Sequence, residues 1–492
     1  MISNKLEGLI DCTQWHALYQ KHATVNIASK KPKSSIFSQN ILEFIYRYFK
    51  PTNAIHLALA CGDETRFLDV LQLIQCACEY SWDIDIFILP ELAKEWQKFM
   101  QYEEVVFPVK FSSDIPLKNL YFCILDCIAP LNESSLSEAH QVLMRAVELH
   151  PSMTIALDLP SGLNPNTGAR RSPLVIHAQL TLCRYAYFQG LYTGVAQEYI
   201  GACAILTPEW PLVLDFKHYL LTTDYLQAIW PARTAYASKA SFKRVKVIAG
   251  QKSMFGASIL AGYAAFIMGA GWVEVLFQEG LTPPYGQFPE IIWQPIAKVS
   301  EILNHIEERD IVVVGPGLGS EKWADDVWAL VKTLTNTMVV DASALKYLAK
   351  EPYKRDNWVL TPHPGEAAAL LGWSVEDVQF DRFKAIQALQ KKFGGTCVLK
   401  GSGSLIAHDT QIDFLSADGN PGMATPGMGD VLSGLIAGCL AQMPDPLQAT
   451  LLAVGLHARA GDRVMQKNPA MIVRPIKLLQ ELQNHMQDVL CK

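Results

Sequence analysis

Along the C-terminal half of the chain, short unbroken apolar runs alternate with longer stretches of mixed polarity. "VKVIAG" (245–250), "IVVVGPGLG" (311–319), "MVVDASAL" (338–345), "WVLTPHPGE" (358–366) and "CVLKGSGS" (397–404) each begin as a hydrophobic strand, then break into Gly, Pro, His, Asp, Lys or Ser. Stretches such as 322–334 and 381–393 predict helices between them. Continuous apolar strands alternating with helices predict a parallel sheet covered on both faces. Ligands bind such sheets outside the carboxyl ends of the strands, where the unusual residues of this half stand. The N-terminal half repeats the rhythm in "AIHLALACGD" (54–63), "IDIFILP" (84–90), "YFCILDCIAP" (121–130), "TIALDLPSGLN" (154–164) and "CAILTP" (203–208), predicting a second α/β sandwich. A proline-marked connection places the boundary near 210 to 235, giving domains of 1–220 and 221–492.

Composition narrows the class. The 492 residues are 50% hydrophobic and 18% charged, which suits a well-buried enzyme of two domains. Net charge is −6 and the only basic block is "KKPK" (30–33), so no nucleic-acid partner is expected. The 11 cysteines lack metal spacing and read as packed thiols of a reducing compartment. The start "MISNKLEGLIDCTQW" shows no secretion signal, and a cytoplasmic location is expected. "MFGASILAGYAAFIMGAGWV" (254–273) has the length and polarity of a membrane span, but its four glycines predict a small-residue helix under a sheet, ending near 269–271 and followed by the strand "WVEVLF". No membrane partner is expected.

The candidate chemistry lies in "NPGMATPGMGDVLSGLIAGCLAQM" (420–443). Glycines before an apolar helix let a ligand approach its unpaired first-turn N–H groups, an anion site. Asp430 has two readings there: an N-cap of its own helix, or an acid beside bound phosphate that accepts a substrate proton. His363 precedes a helix predicted from Pro364 to Gly372, and Lys400 leaves a buried strand into small residues. Taken alone, Asp430 and His363 read first as structural and Lys400 as either, but all converge on one sheet edge. No Walker-type loop occurs.

Taken in order, "GPGLG", "VVDASAL", "LTPHPGEAAALLG", "VLKGSGS" and "NPGMATPGMGDVLSGLIAG" closely resemble the ADP/ATP-dependent NAD(P)H-hydrate dehydratase domain, over roughly 235 to 490. The resemblance implies a ribokinase-like α/β domain, a lyase of metabolite repair that uses ADP or ATP, with Mg2+, to remove water from NADHX or NADPHX. It implies Asp430 as the base that activates the C6 hydroxyl for phosphoryl transfer. It implies hydrate contacts at Ala257, Gly317, Gly319, His363 and Asp430, and nucleotide contacts at Lys400, Gly401, Ser402, Gly403, Ser404 and Gly429. It also implies a homo-oligomer. Pro426, Ser343 and "SKA" (238–240) depart from the family pattern without touching Asp430, His363 or Lys400. Two other readings stay open: a ribokinase-like small-alcohol kinase, and a nucleotide-binding protein without turnover.

"LDLPSGLNPNTGA" (157–169) resembles the NAD(P)H-hydrate epimerase domain that precedes the dehydratase in many members, implying an N-terminal Rossmann-like three-layer sandwich. By position Asp126 and Ser161 would hold K+ and Asp158 would meet substrate. Where that domain carries "GPGNNGGDG", this chain has "ALACGDETRFLDV" (58–70), with Asp63 and Glu64 expected where phosphates approach and Gln189 near the place of a usual lysine. Like charges there would repel the ligand. A degenerate epimerase domain is therefore expected.

Overall fold

The computed structural model describes residues 7–18, 36–51, 55–101, 109–206, 216–249, 252–283, 286–408, 413–469 and 472–490. The "KKPK" block and part of the 210–235 connection lie outside them. The chain forms two compact units, one of Gly8–Lys217 and one chiefly of His218–Lys492.

In the first unit seven parallel strands lie in the order Lys110–Phe111, Asp83–Ile88, His56–Cys61, Cys123–Cys127, Met153–Leu157, Leu180–Cys183, Ala202–Ile205. Chain order therefore runs outward in both directions from His56–Cys61. The switch point falls between that strand and Cys123–Cys127, where a doubly wound sheet opens its ligand crevice. Leu57, Ala58, Leu59 and Ala60 are all fully buried, so both faces are covered, as an unbroken apolar run requires.

The second unit has a mixed sheet. Ile292–Ile296, Trp272–Gln278, Arg244–Ile248, Ile311–Val314, Thr337–Val340, Trp358–Leu360 and Thr396–Leu399 run parallel side by side. Ser404–Ala407 and Asp413–Ser416 add antiparallel strands, and His218–Leu220 pairs parallel with the latter. The five loops singled out in the sequence thus leave one edge of one sheet.

The membrane-like segment is the helix Phe255–Ile267, followed by the strand Trp272–Gln278. Its small residues serve a close crossing with the helix Met428–Leu440. A Cβ at Gly434 would stand 2.1 Å from the Ala261 carbonyl oxygen, and one at Gly438 would stand 2.6 Å from Met268 Cβ. Among the described residues no helix is long and apolar enough to cross a membrane.

Candidate active site

At the carboxyl edge of the second unit the sheet ladder sets the geometry. Asp341 follows its strand, its N–H donating to Val314 O (3.1 Å), and Lys400 N donates to Pro362 O (2.9 Å). These bonds align the strand ends side by side. Lys400 Nζ then lies 2.8 Å from Asp341 Oδ1 and 3.9 Å from Glu366 Oε2. Burial disfavours the Lys400 ammonium, but Asp341, Glu366 and Asp430 outweigh that and raise its pKa. Burial likewise pushes Asp341 up, yet Lys400, the Ser433 hydroxyl and the Ala342 N–H hold it below the usual carboxylate range.

Asp430 is not the N-cap. That position belongs to Gly427, whose φ of 97° is a left-handed conformation suited to glycine. Asp430 sits in the helix's first turn, on the end where unpaired N–H groups favour an anion. Even so, burial and the neighbouring Asp341 push its carboxyl up to about 6, against the lowering effect of Lys400. An acid poised there can both ionise near neutral pH and accept a proton. Gly429 leaves room beside it: a Cβ would stand 3.2 Å from Lys400 Nζ and 3.5 Å from Asp341 Oδ2.

The remaining candidates divide. Gly317 (φ 70°) lies against the start of the helix bearing Ala257, where a Cβ would stand 2.7 Å from Met254 O, and Gly319 ends the same turn. His363 caps the helix Pro364–Leu371: its Nδ1 accepts from Gly365 N (3.0 Å) and Glu366 N (3.3 Å) while Glu366 accepts from His363 N. The ring is 57% exposed, with Nε2 3.5 Å from Glu366 Oε1. Burial, then Lys400, lowers its pKa. Gly401 to Ser404 form a tight loop in which Ser404 Oγ donates to Gly401 O (3.2 Å).

Three residues here escaped the sequence reading. Asp341 is the acid that organises Lys400. Glu366, which burial pushes up to about 7, is its second partner. Arg382, only 1% exposed, shapes the 400–404 loop from below. Its Nη2 donates to the carbonyls of Leu399 (3.2 Å), Lys400 (3.3 Å) and Gly403 (3.1 Å), and burial lowers its pKa to about 10. An arginine at the start of an amphipathic helix ordinarily reads as solvated, so only the carbonyl cluster reveals it. Among the described residues no group of three or more His, Cys, Asp or Glu is placed to hold a metal. Mg2+ fits only as an ion riding on nucleotide phosphates, as it commonly does.

At the switch point of the first unit the arrangement is closed. Arg66, from the loop replacing the glycine-rich motif, places Nη2 2.8 Å from Asp158 Oδ2 and Nη1 3.1 Å from Asp69 Oδ2. Arg184 Nη2 lies 2.6 Å from Asp69 Oδ1, and its N–H donates to Asp158 Oδ1 (2.9 Å). The guanidiniums stack over Trp15 (4.6 Å) and Phe37 (3.9 Å). All four charged side chains are at most 4% exposed. Of the two acids expected to repel phosphates, Asp63 turns inward to accept from Thr65 N (2.9 Å) and Thr65 Oγ1 (2.8 Å), while Glu64 is exposed. Gln189 donates to Asn166 O (2.8 Å).

Potassium does not fit here. Asp126 Oδ1 accepts from Ser161 Oγ (2.6 Å) and Ile128 N (3.2 Å), and Oδ2 accepts from Ser161 N (2.7 Å). Ser161 Oγ in turn accepts from Ala129 N (2.9 Å). Burial raises the Asp126 pKa.

A model of the NAD(P)H-hydrate dehydratase family matches residues 245–484, and one of the YjeF-related protein N-terminus matches 35–190. The bifunctional NAD(P)H-hydrate repair enzyme Nnr of Coxiella burnetii is 38% identical over 330 residues, 66% of this chain and 67% of that protein. The ADP-dependent (S)-NAD(P)H-hydrate dehydratase of Neisseria meningitidis is 36% identical over 261 residues, 51% of this chain and 86% of that protein. This chain belongs to the NAD(P)H-hydrate repair family. The alignment with the Escherichia coli bifunctional member, at 36% identity, takes in 61% of that enzyme's length. The Bacillus subtilis ADP/ATP-dependent NAD(P)H-hydrate dehydratase, co-crystallised with ATP/Mg2+, matches with a TM-score of 0.50 at 27% identity, covering 55% of this chain and 97% of that one. A ribokinase-like superfamily protein from Enterococcus faecalis matches with a TM-score of 0.52 at 29% identity, covering 57% and 99%. The ribokinase-like expectation for this half therefore holds.

Proposed function

We propose that the chain is an ADP- or ATP-dependent dehydratase that returns (S)-NADHX or (S)-NADPHX to the reduced coenzyme, acting in the cytoplasm, with residues 221–492 carrying the chemistry and 1–220 having lost epimerase activity. The observation that carries the reading is Asp430, held in the first turn of a glycine-capped helix with its carboxyl pushed up to about 6. The hydrate's C6 hydroxyl oxygen takes the terminal phosphoryl group as the nucleotide's P–O bond breaks, and Asp430 takes the hydroxyl proton. The C6–O bond then breaks with phosphate leaving, and loss of the neighbouring ring proton restores the double bond. Mg2+ on the nucleotide would neutralise phosphate charge. Phosphoryl transfer of this kind asks the protein for positioning, charge stabilisation and one proton acceptor.

Ala257, Gly317, Gly319 and His363 would face the hydrate. Gly401 to Ser404 and Gly429 would meet the nucleotide mainly through backbone N–H groups, since the Lys400 ammonium is already engaged by Asp341. Loss of epimerisation is supported by the first unit's crevice, where two guanidiniums and two carboxylates satisfy one another. Within that group of four the charges balance.

The test supplies NADHX with ADP or ATP and follows recovery of the NADH absorbance band, with Asp430→Asn as control. Recovery by the native protein and none by the variant is expected. No recovery with either nucleotide, or full recovery in the variant, contradicts the reading.

A further inference from the structure

Asp341 is fully enclosed, 1% exposed, yet no substrate role falls to it in the reading above. Its Oδ1 accepts from Lys400 Nζ (2.8 Å) and its Oδ2 accepts from Ser433 Oγ (2.8 Å). Ser433 stands three residues after Asp430 on the same helix, one turn along the same face. Its hydroxyl also lies 3.1 Å from Gly429 O, in the turn that bears the acid. The backbone is strained to place this carboxylate: the next residue, Ala342, has φ 48° and ψ −120°, a conformation that L residues rarely adopt. A Cβ at Gly315 would stand 1.7 Å from Asp341 O, so the 315–319 turn is shaped around the same residue.

We propose that Asp341 is the positioning residue of this site: by holding Lys400 and Ser433 together it fixes the helix turn that carries Asp430 and keeps the ammonium from neutralising that acid. The inference rests on Asp430 being the base. The groups facing the pair are few. Asp341 and Lys400 act on Asp430, while Lys400 meets Asp341, Glu366 and Asp430, with His363 and His457 inside its field. Remove the Asp341 charge and Lys400 is released toward Asp430. Both changes stabilise the ionised base, making it weaker and moving its titration to lower pH.

The experiment compares kcat and KM across the pH range for the native chain, Asp341→Asn, Ser433→Ala and Glu366→Gln. Asp341→Asn is expected to lower kcat on the order of 10- to 100-fold while changing nucleotide KM by less than about threefold. It should also move the acid limb to lower pH by about one unit. Ser433→Ala should move both in the same direction by less, and it carries the test if Asp341→Asn does not fold. An Asp341→Asn enzyme whose acid limb stays in place overturns the proposal, as does a limb moved by Glu366→Gln alone. If Asp341→Asn does not fold, a Ser433→Ala enzyme indistinguishable from native overturns it. The Asp430 carboxyl carbon in 13C-aspartate-labelled protein, assigned by its loss in Asp430→Asn, reports the same shift without turnover. A protein inactive on hydrate but showing that shift would refute the proposed function and leave the positioning role standing.

Discussion

Two sheet edges in this chain carry acids at the ends of parallel strands, and they treat them in opposite ways. In the second unit one cation, Lys400, faces Asp341, Glu366 and Asp430. Burial, and then the neighbouring Asp341, push Asp430 up to about 6, and it stays ready for a proton. In the first unit Arg66 and Arg184 match Asp69 and Asp158, and Asp126 is closed off by Ser161 and backbone N–H groups. Buried acids alone do not make a site. What matters is whether a carboxylate is left without a full set of partners and with an opening beside it.

The comparison can be broken at several points. The largest effect is expected on activity: Asp430→Asn should lower kcat at least about 1,000-fold, within what one general base contributes, with nucleotide binding retained. Calorimetry with ADP together with the absorbance assay checks both. In the native enzyme the rate should fall about tenfold per pH unit below about 6, where the base protonates.

Next comes the first unit. Arg66→Ala takes one of two cationic neighbours from a buried carboxylate pair, and breaking such a pair typically costs about 3–5 kcal/mol. Denaturant unfolding should show the first unit melting earlier while dehydratase activity of the folded protein stays near native. If stability is unchanged, the network does not fill the crevice as described.

A smaller effect separates site from scaffold. The folded pKa of Asp430, about 6, lies above the ordinary value of 3.8, so the folded state holds that proton more tightly. The corresponding stability is present below 3.8 and is lost as pH rises through about 6. Asp430→Asn should therefore stabilise the second unit by roughly 1–3 kcal/mol at pH above about 7, with the gain fading in acid. Thermal melts at two pH values decide it. Arg382→Met should mainly raise nucleotide KM, by about tenfold, because the 400–404 carbonyls lose their common donor.

How far these edges were legible beforehand follows from the range of each interaction. Strands such as Ile311–Val314 and helices such as Pro364–Leu371 follow from local period and caps, and they stand where the pattern places them. The glycines before Asp430 open its helix as their pattern implies, although the cap itself is Gly427. Lys400 and Asp341 lie 59 residues apart, and Arg66 reaches Asp158 from another strand's loop. No local pattern records such pairings. Asp63 shows the limit from the other side: read as a charge facing a ligand, it is spent on its own turn.

The contrast between the halves comes down to stereochemistry. Resolved (R)- and (S)-NADHX should be supplied separately with ADP or ATP, and each isomer followed by chromatography. The account predicts that (S)-hydrate is converted to NADH while (R)-hydrate disappears no faster than it epimerises spontaneously. Rapid loss of (R)-hydrate, or persistence of (S)-hydrate with both nucleotides, would contradict it.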